Sequence, residues 1–91
     1  MSKYSKGANF ERYVRQHLRN QGYVVFRSAG SHSPADLIAA KGGEWLLIQC
    51  KVDGNFPSKQ RDILKLLGEE LQCRVGLAYK GEDKNLVLEL F

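Results

Sequence analysis

Residues 33–51 read SPADLIAAKGGEWLLIQCK, and the reading of this stretch decides the fold. Ala35 to Lys41 and Glu44 to Val52 are predicted as two strands joined by Gly42-Gly43, because glycine accepts the positive φ that two-residue hairpin turns require. With Lys41 facing Glu44 across the turn, Asp36 falls opposite Gln49, and directly opposed side chains share a face with Cβ atoms roughly 5 Å apart. The strand period of two adds Lys51 to the face of Gln49, together with Trp45 and Leu47. An acid, an amide and a lysine therefore cap an otherwise apolar stripe. Placing such groups beside core residues is costly unless they bind something. A solvated strand end accounts for the hairpin alone equally well, so the decision rests with the flanking sequence.

N-terminal to the hairpin, Ser5 to Gln21 has the pattern of an amphipathic helix, with Phe10, Tyr13, Val14, His17 and Leu18 at spacings of three and four and Gly22 as its stop. Glu11 lies on the row Glu11, Val14, Leu18 at the edge of the apolar face. A carboxylate there needs a partner, either a nearby Arg or Lys or a metal at the sheet edge. Arg12, Arg15 and Arg19 form a second stripe suited to lie along phosphates. His17 shares the apolar stripe and is given no role. Tyr23 to Arg27 reads as the first strand. The loop Ser28 to Pro34 consists of small polar residues able to approach a ligand closely, and His32 within it is either a DNA contact or general base, or simply solvated.

C-terminal to the hairpin, Val52 to Pro57 is a connection and Ser58 an expected N-cap. Lys59 to Leu71 is predicted as a second helix with Ile63, Leu64, Leu66, Leu67 and Leu71 toward the core, and Gly68 is allowed there for close packing on the sheet. Arg74 to Tyr79 and Leu86 to Phe91 are the last strands. The order αβββαββ, with a helix linking the third and fourth strands, predicts an α/β fold whose mixed sheet contains a parallel crossover and is flanked by helices.

Size and charge narrow the function. A chain of 91 residues makes a single domain, 1–91, with one small core. No apolar run approaches the ~18 residues of a membrane span, and the first residues lack the apolar stretch of a signal peptide, so an intracellular, cytoplasmic protein is expected. Cys50 and Cys73 show no metal-ligand spacing and read as reduced thiols, with a cross-strand disulfide as the alternative. The net charge is +4, and the excess is local. Residues 1–30 hold Lys3, Lys6, Arg12, Arg15, Arg19 and Arg27 against Glu11 alone, while the remainder is nearly balanced. Localised positive charge is the footprint of a phosphate-backbone binder. Lys6, Arg12, Arg15, Arg19, Arg27, Ser31 and His32 are the candidate DNA contacts.

Four motifs in order carry a resemblance: KGANFER in the first helix, RSAGS after the first strand, ADLIA in the second and IQCK in the third. From about Lys6 to Lys51 the chain resembles the archaeal-type Holliday junction resolvases of the PD-(D/E)xK nuclease superfamily. The resemblance implies a restriction-endonuclease-like core, a homodimer, and Mg²⁺-dependent cleavage of four-way DNA junctions that leaves a 5′-phosphate and a 3′-hydroxyl. It also implies that Glu11 is the helix-borne acid, Ser28 the loop serine, Asp36 the first motif acid and Lys51 the motif lysine. Gln49 departs from the pattern, because the family usually carries a glutamate there. Its carbonyl oxygen remains a hard ligand but brings no charge, so the metal should bind more weakly. The expected metal ligands are Asp36, Gln49, the Cys50 backbone carbonyl and Glu11 through water, with Mn²⁺ substituting for Mg²⁺. Lys51 is expected to orient the attacking water and stabilise charge on the phosphate. The alternatives are a restriction-like or repair nuclease acting on other DNA structures, and a junction-binding protein without catalysis.

Overall fold

A computed structural model describes residues 3–28 and 33–91, with the side chains of the first helix described from Gly7 onward. The elements are α1 (Lys3–Asn20), β1 (Val24–Arg27), β2 (Leu37–Lys41), β3 (Glu44–Cys50), α2 (Ser58–Leu71), β4 (Arg74–Lys80) and β5 (Leu86–Leu90). The five strands form one sheet in sequence order. β3 and β4 run parallel, and every other neighbouring pair is antiparallel. The αβββαββ order and the parallel pairing across α2 match the sequence reading, since a helix inserted between two adjacent strands returns the chain in the same direction.

The β2–β3 turn is the predicted one, with Gly42 at φ 57° and Gly43 at φ 84°, values that residues with a side chain rarely adopt. Lys41 pairs with Glu44, and the register runs unbroken to Leu37 opposite Ile48.

Alternation along the strands divides the core in two. Leu46 and Ile48 of β3 join Leu37, Ala39, Val25 and Ala78 against Phe10, Val14 and Leu18 of α1. Leu47 joins Val75 and Leu77 against Leu64 of α2, with Phe56 and Ala35. The two helices thus cover opposite faces of the sheet. Cys50 and Val52 pack on the α1 side, which continues the period and leaves Gln49 and Lys51 on the other side. Main-chain bonds from Lys51 N–H to the Ala78 carbonyl and from Lys80 N–H to the Val52 carbonyl carry the parallel pairing past Cys50, close to the predicted strand end at Val52.

Three expectations are corrected. Tyr13 and His17 of α1 are exposed, and the buried row is Phe10, Val14, Leu18. His17 pairs instead with the Gln21 side chain at 3.0 Å. On α2, only Leu64 and Gly68 are fully buried, with Leu67 half-buried, while Ile63, Leu66 and Leu71 face solvent. One stripe of a helix can meet the sheet, and 64, 67 and 68 occupy it. A Cβ on Gly68 would lie 2.5 Å from Val75 Cγ1, so the glycine sets how closely α2 approaches β4. Finally, Pro57 rather than Ser58 stands at the N-cap of α2, without a side-chain capping bond. Pro57 has an extended ψ of 142° and Ser58 is already helical, so the Ser58 hydroxyl is one position too late to cap.

Phe91 closes the fold. Its N–H donates to the Val75 carbonyl, and its ring packs on the α2-side core. The Arg61 guanidinium lies 4.5 Å from the Phe91 ring centre and bonds Glu89 at 3.2 Å. Both cysteines are unpaired thiols.

Candidate active site

The regular hairpin stops one residue short of Asp36. Ala35 is buried in the α2-side core and Leu37 in the α1-side core, although residues two apart in a regular strand share a face. The backbone therefore breaks its period at Asp36. Its N–H donates to the Ile48 carbonyl at 2.9 Å, and its own carbonyl accepts from Ser28 N–H at 2.9 Å. The carboxylate Oδ2 accepts from Cys50 N–H at 3.0 Å. Asp36 thus lies at the step where Gln49 was expected opposite it, but there the ladder gives way to a side-chain bond. Just upstream, the Ser33 hydroxyl bonds within the Ser33–Ala35 turn that leads into this break.

This break lets Asp36 face groups from both sides of the sheet. Burial raises its pKa above the ordinary carboxylate value. The Cys50 N–H works against that rise, the Glu11 carboxylate adds to it, and Lys51 and Arg27 oppose it. Glu11 lies on α1, over one face of the sheet, and Lys51 falls with Gln49 on the other. Burial also pushes the Cys50 thiol up, and the Asp36 and Glu11 charges reinforce this, so the thiol stays protonated.

Glu11 occupies the half-buried edge position that its helix row predicted. Its partner is Arg27, at the end of β1, whose Nε donates to Glu11 Oε1 at 2.6 Å. The sequence placed Arg27 among the DNA contacts and did not connect it with Glu11. The signal was available in the strand order: β1 pairs with β2 so that Arg27 faces Leu37, next to Asp36.

Gln49 is half-buried, and its Oε1 has no hydrogen-bond partner among the described residues. A buried amide oxygen without a donor is costly, which makes it a natural place for a cation. No three His, Cys, Asp or Glu side chains among the described residues form a metal cluster by themselves. The donor set that fits a hard divalent ion is instead mixed: the Asp36 carboxylate, the bare Gln49 oxygen, main-chain oxygen at Cys50, and Glu11 nearby. That set is oxygen-rich and low in charge.

The basic residues are less uniform than their stripe suggested. Arg12 and Arg19 are exposed, whereas Arg15 is half-buried, with a buried Nε that lacks a partner among the described residues. Arg15 follows Glu11 by four residues, which turns it toward the core edge rather than outward with the other two. Ser28 is brought beside Asp36 through its main chain. Lys6 falls within α1, but its side chain lies outside the described part, and Ser31 and His32 lie outside the described residues.

A mixed five-stranded sheet with a helix between its parallel strands and a helix on each face is an α/β architecture of the restriction-endonuclease-like class. The chain belongs to the archaeal Holliday junction resolvase family, whose model matches residues 2–86. It is 43% identical over 67 residues to a crossover junction endodeoxyribonuclease Hjc of Methanocaldococcus jannaschii, a match covering 71% of this chain and 50% of that protein. The chain thus spans about half the length of the curated relative it matches. A solved Holliday junction resolvase, Archaeoglobus fulgidus Hjc, shares its fold with a TM-score of 0.77 at 23% identity, over 92% of this chain and 71% of that one.

Proposed function

We propose that this chain is a divalent-metal-dependent endodeoxyribonuclease that resolves four-way DNA junctions by paired nicks as a homodimer. The observation that carries the reading is the break at Asp36, which holds its half-buried carboxylate on Cys50 N–H within reach of the charges of Glu11, Lys51 and Arg27, one residue from Gln49 with its buried amide oxygen. Family membership supports the junction as substrate, and the curated relative is named as an enzyme of this kind.

Asp36 and Gln49 would hold Mg²⁺ or Mn²⁺, with Cys50 contributing main-chain oxygen and Glu11 its charge. The ion would supply Lewis acidity at a phosphate oxygen. Cys50 N–H fixes the Asp36 carboxylate, so its second oxygen is aimed rather than free to rotate. Lys51 places a positive charge beside the phosphate, where negative charge builds as water attacks phosphorus. The bond to the 3′ oxygen then breaks, leaving a 3′-hydroxyl and a 5′-phosphate. Arg12, Arg19 and Arg27, exposed on α1 and at the end of β1, would neutralise backbone phosphates. One chain carries one such site, and two nicks related by symmetry need two. Ile63, Leu66 and Leu71 of α2, together with Val24, Phe26 and Trp45 on the sheet, are exposed apolar residues available to a second copy. In this reading the enzyme works inside the cell. No helix among the described residues is long and apolar enough to cross a membrane.

The test is incubation with a mobile four-way junction and with a linear duplex in Mg²⁺. Wild type should cut the junction at paired sites, and Asp36→Ala should not. An uncut junction, or full activity in Asp36→Ala, refutes the proposal, and equal cutting of duplexes, nicks or flaps redirects it to a repair-type or restriction-like nuclease. The neutral Gln49 favours a second reading, junction binding without catalysis. That reading predicts salt-sensitive binding and no products at any Mg²⁺ or Mn²⁺ concentration.

A further inference from the structure

The Glu11–Arg27 pair is unusual in its asymmetry. The Glu11 side chain retains 18% of its exposure and that of Arg27 62%, so a carboxylate held inside the site is bonded to a guanidinium that lies mostly in solvent. Only Nε of that guanidinium is engaged among the described residues. Its two terminal nitrogens make no hydrogen bond among the described residues, and a guanidinium fork left free in this way matches the geometry of a phosphate. On the inner side, Glu11 and Asp36 are the two carboxylates that act on one another among the described residues, because Gln49 brings an oxygen without charge. A divalent ion seated on Asp36 and Gln49 would meet a single negative charge unless Glu11 turned toward it. Arg27 and the ion therefore draw on the same carboxylate.

We propose that Glu11 is shared between two competing cations, the Arg27 guanidinium and the divalent ion of the Asp36 site, so that ion binding releases Arg27 to grip a DNA phosphate. This rests on the metal-site reading above. It makes Arg27 a DNA-binding residue whose availability reports that the site is loaded. The neutral Gln49 is what makes the competition matter: with a second carboxylate at that position, the ion would depend less on Glu11.

The test is Mn²⁺ binding to the intact protein without DNA, with free Mn²⁺ counted by electron paramagnetic resonance. Arg27→Gln removes the competitor and should tighten Mn²⁺ binding by up to about fivefold, the worth of a partly exposed ion pair. Glu11→Gln should weaken it, and adding Arg27→Gln to Glu11→Gln should change nothing further. Arg27→Lys, which keeps a competing cation, should stay near wild type. In a second measurement, Ca²⁺ should tighten four-way-junction binding by wild type but not by Arg27→Gln. An Arg27→Gln gain that persists in full in the Glu11→Gln background would show simple charge repulsion and overturn the sharing, as would no gain at all. Equal Ca²⁺ enhancement in wild type and Arg27→Gln would overturn the release of Arg27 to DNA. Asp36→Asn separates the two levels of the argument. If it abolishes Mn²⁺ binding while Arg27→Gln has no effect, the metal site stands and the sharing fails. If wild type binds no Mn²⁺, or Asp36→Asn binds as wild type does, the metal site and the sharing fall together.

Discussion

Gln49→Glu should move metal affinity and apo stability in opposite directions. The Oε1 of Gln49 is buried without a partner among the described residues, so a carboxylate at the same place adds a charge that the metal-free protein offsets only in part, through Lys51 on the same side of the strand. With the ion bound, one added unit charge at ~3 Å from a divalent cation gains about 3 kcal/mol even at the dielectric of water. Reorganisation of the side chain reduces this to about 2 kcal/mol, which is about thirtyfold in Kd. Without the ion, the new carboxylate repels Asp36. At ~6 Å and an effective dielectric of 20 the repulsion is about 3 kcal/mol, and partial solvent access with the Lys51 charge brings the net loss to about 1 kcal/mol. For a domain of this size that is a fall in Tm of about 4–8 °C. Calorimetric titration with Mn²⁺ and thermal melts in EDTA measure the two effects on the same preparation. Tighter binding with an unstable apo form is the expected pair. Unchanged Mn²⁺ affinity would show that position 49 does not reach the ion, and an undisturbed apo Tm would show that its side chain escapes to water.

Three further outcomes follow from features of the fold. Asp36→Asn should raise the stability of the metal-free protein at neutral pH. The folded-state pKa of Asp36 is raised by burial from 3.8, so ionisation costs stability as pH climbs from the unfolded value through the folded one, a loss that the amide avoids. Melts across that pH range should converge for wild type and variant at the acid end and diverge above it; parallel curves would refute the assignment. Gly68→Ala should destabilise despite gaining about 1 kcal/mol in helix propensity. Its Cβ meets Val75 Cγ1 at 2.5 Å and the Cys73 carbonyl oxygen at 3.0 Å, and overpacking of that kind costs about 1–3 kcal/mol; a higher urea midpoint would show that α2 can simply lift. Arg19→Ala, on the exposed face of α1, should lower the slope of log K against log salt for junction binding by about 1, while an unchanged slope would remove Arg19 from the DNA surface.

Much of the sheet was legible because its signals are local. Gly42-Gly43 specified a turn, and the turn specified a register that the sheet follows from Lys41–Glu44 to Leu37–Ile48. Glu11 was legible as an edge carboxylate from its helix row, although its actual partner, Arg27, depends on how β1 docks and could not be read from spacing. The break at Asp36 was not legible at all. It arises where Ala35 is drawn into one core and Leu37 into the other, a tertiary demand that overrides the period of two. The exposed Ile63, Leu66 and Leu71 mark a similar limit, since leucine content predicts a helix but not which stripe of it the sheet accepts.

The bond from Cys50 N–H to Asp36 has a consequence for which residues the chain can carry at position 50. The anchor of the site's first acid belongs to the peptide unit, so no side chain at 50 can supply it or take it away. What that side chain must satisfy is the α1-side core, against which it packs half-buried. Selection at this position is accordingly for volume and apolarity: Ala, Val and Ser should all keep the carboxylate aimed. Proline is the one residue that unfastens it, because it alone has no hydrogen to give.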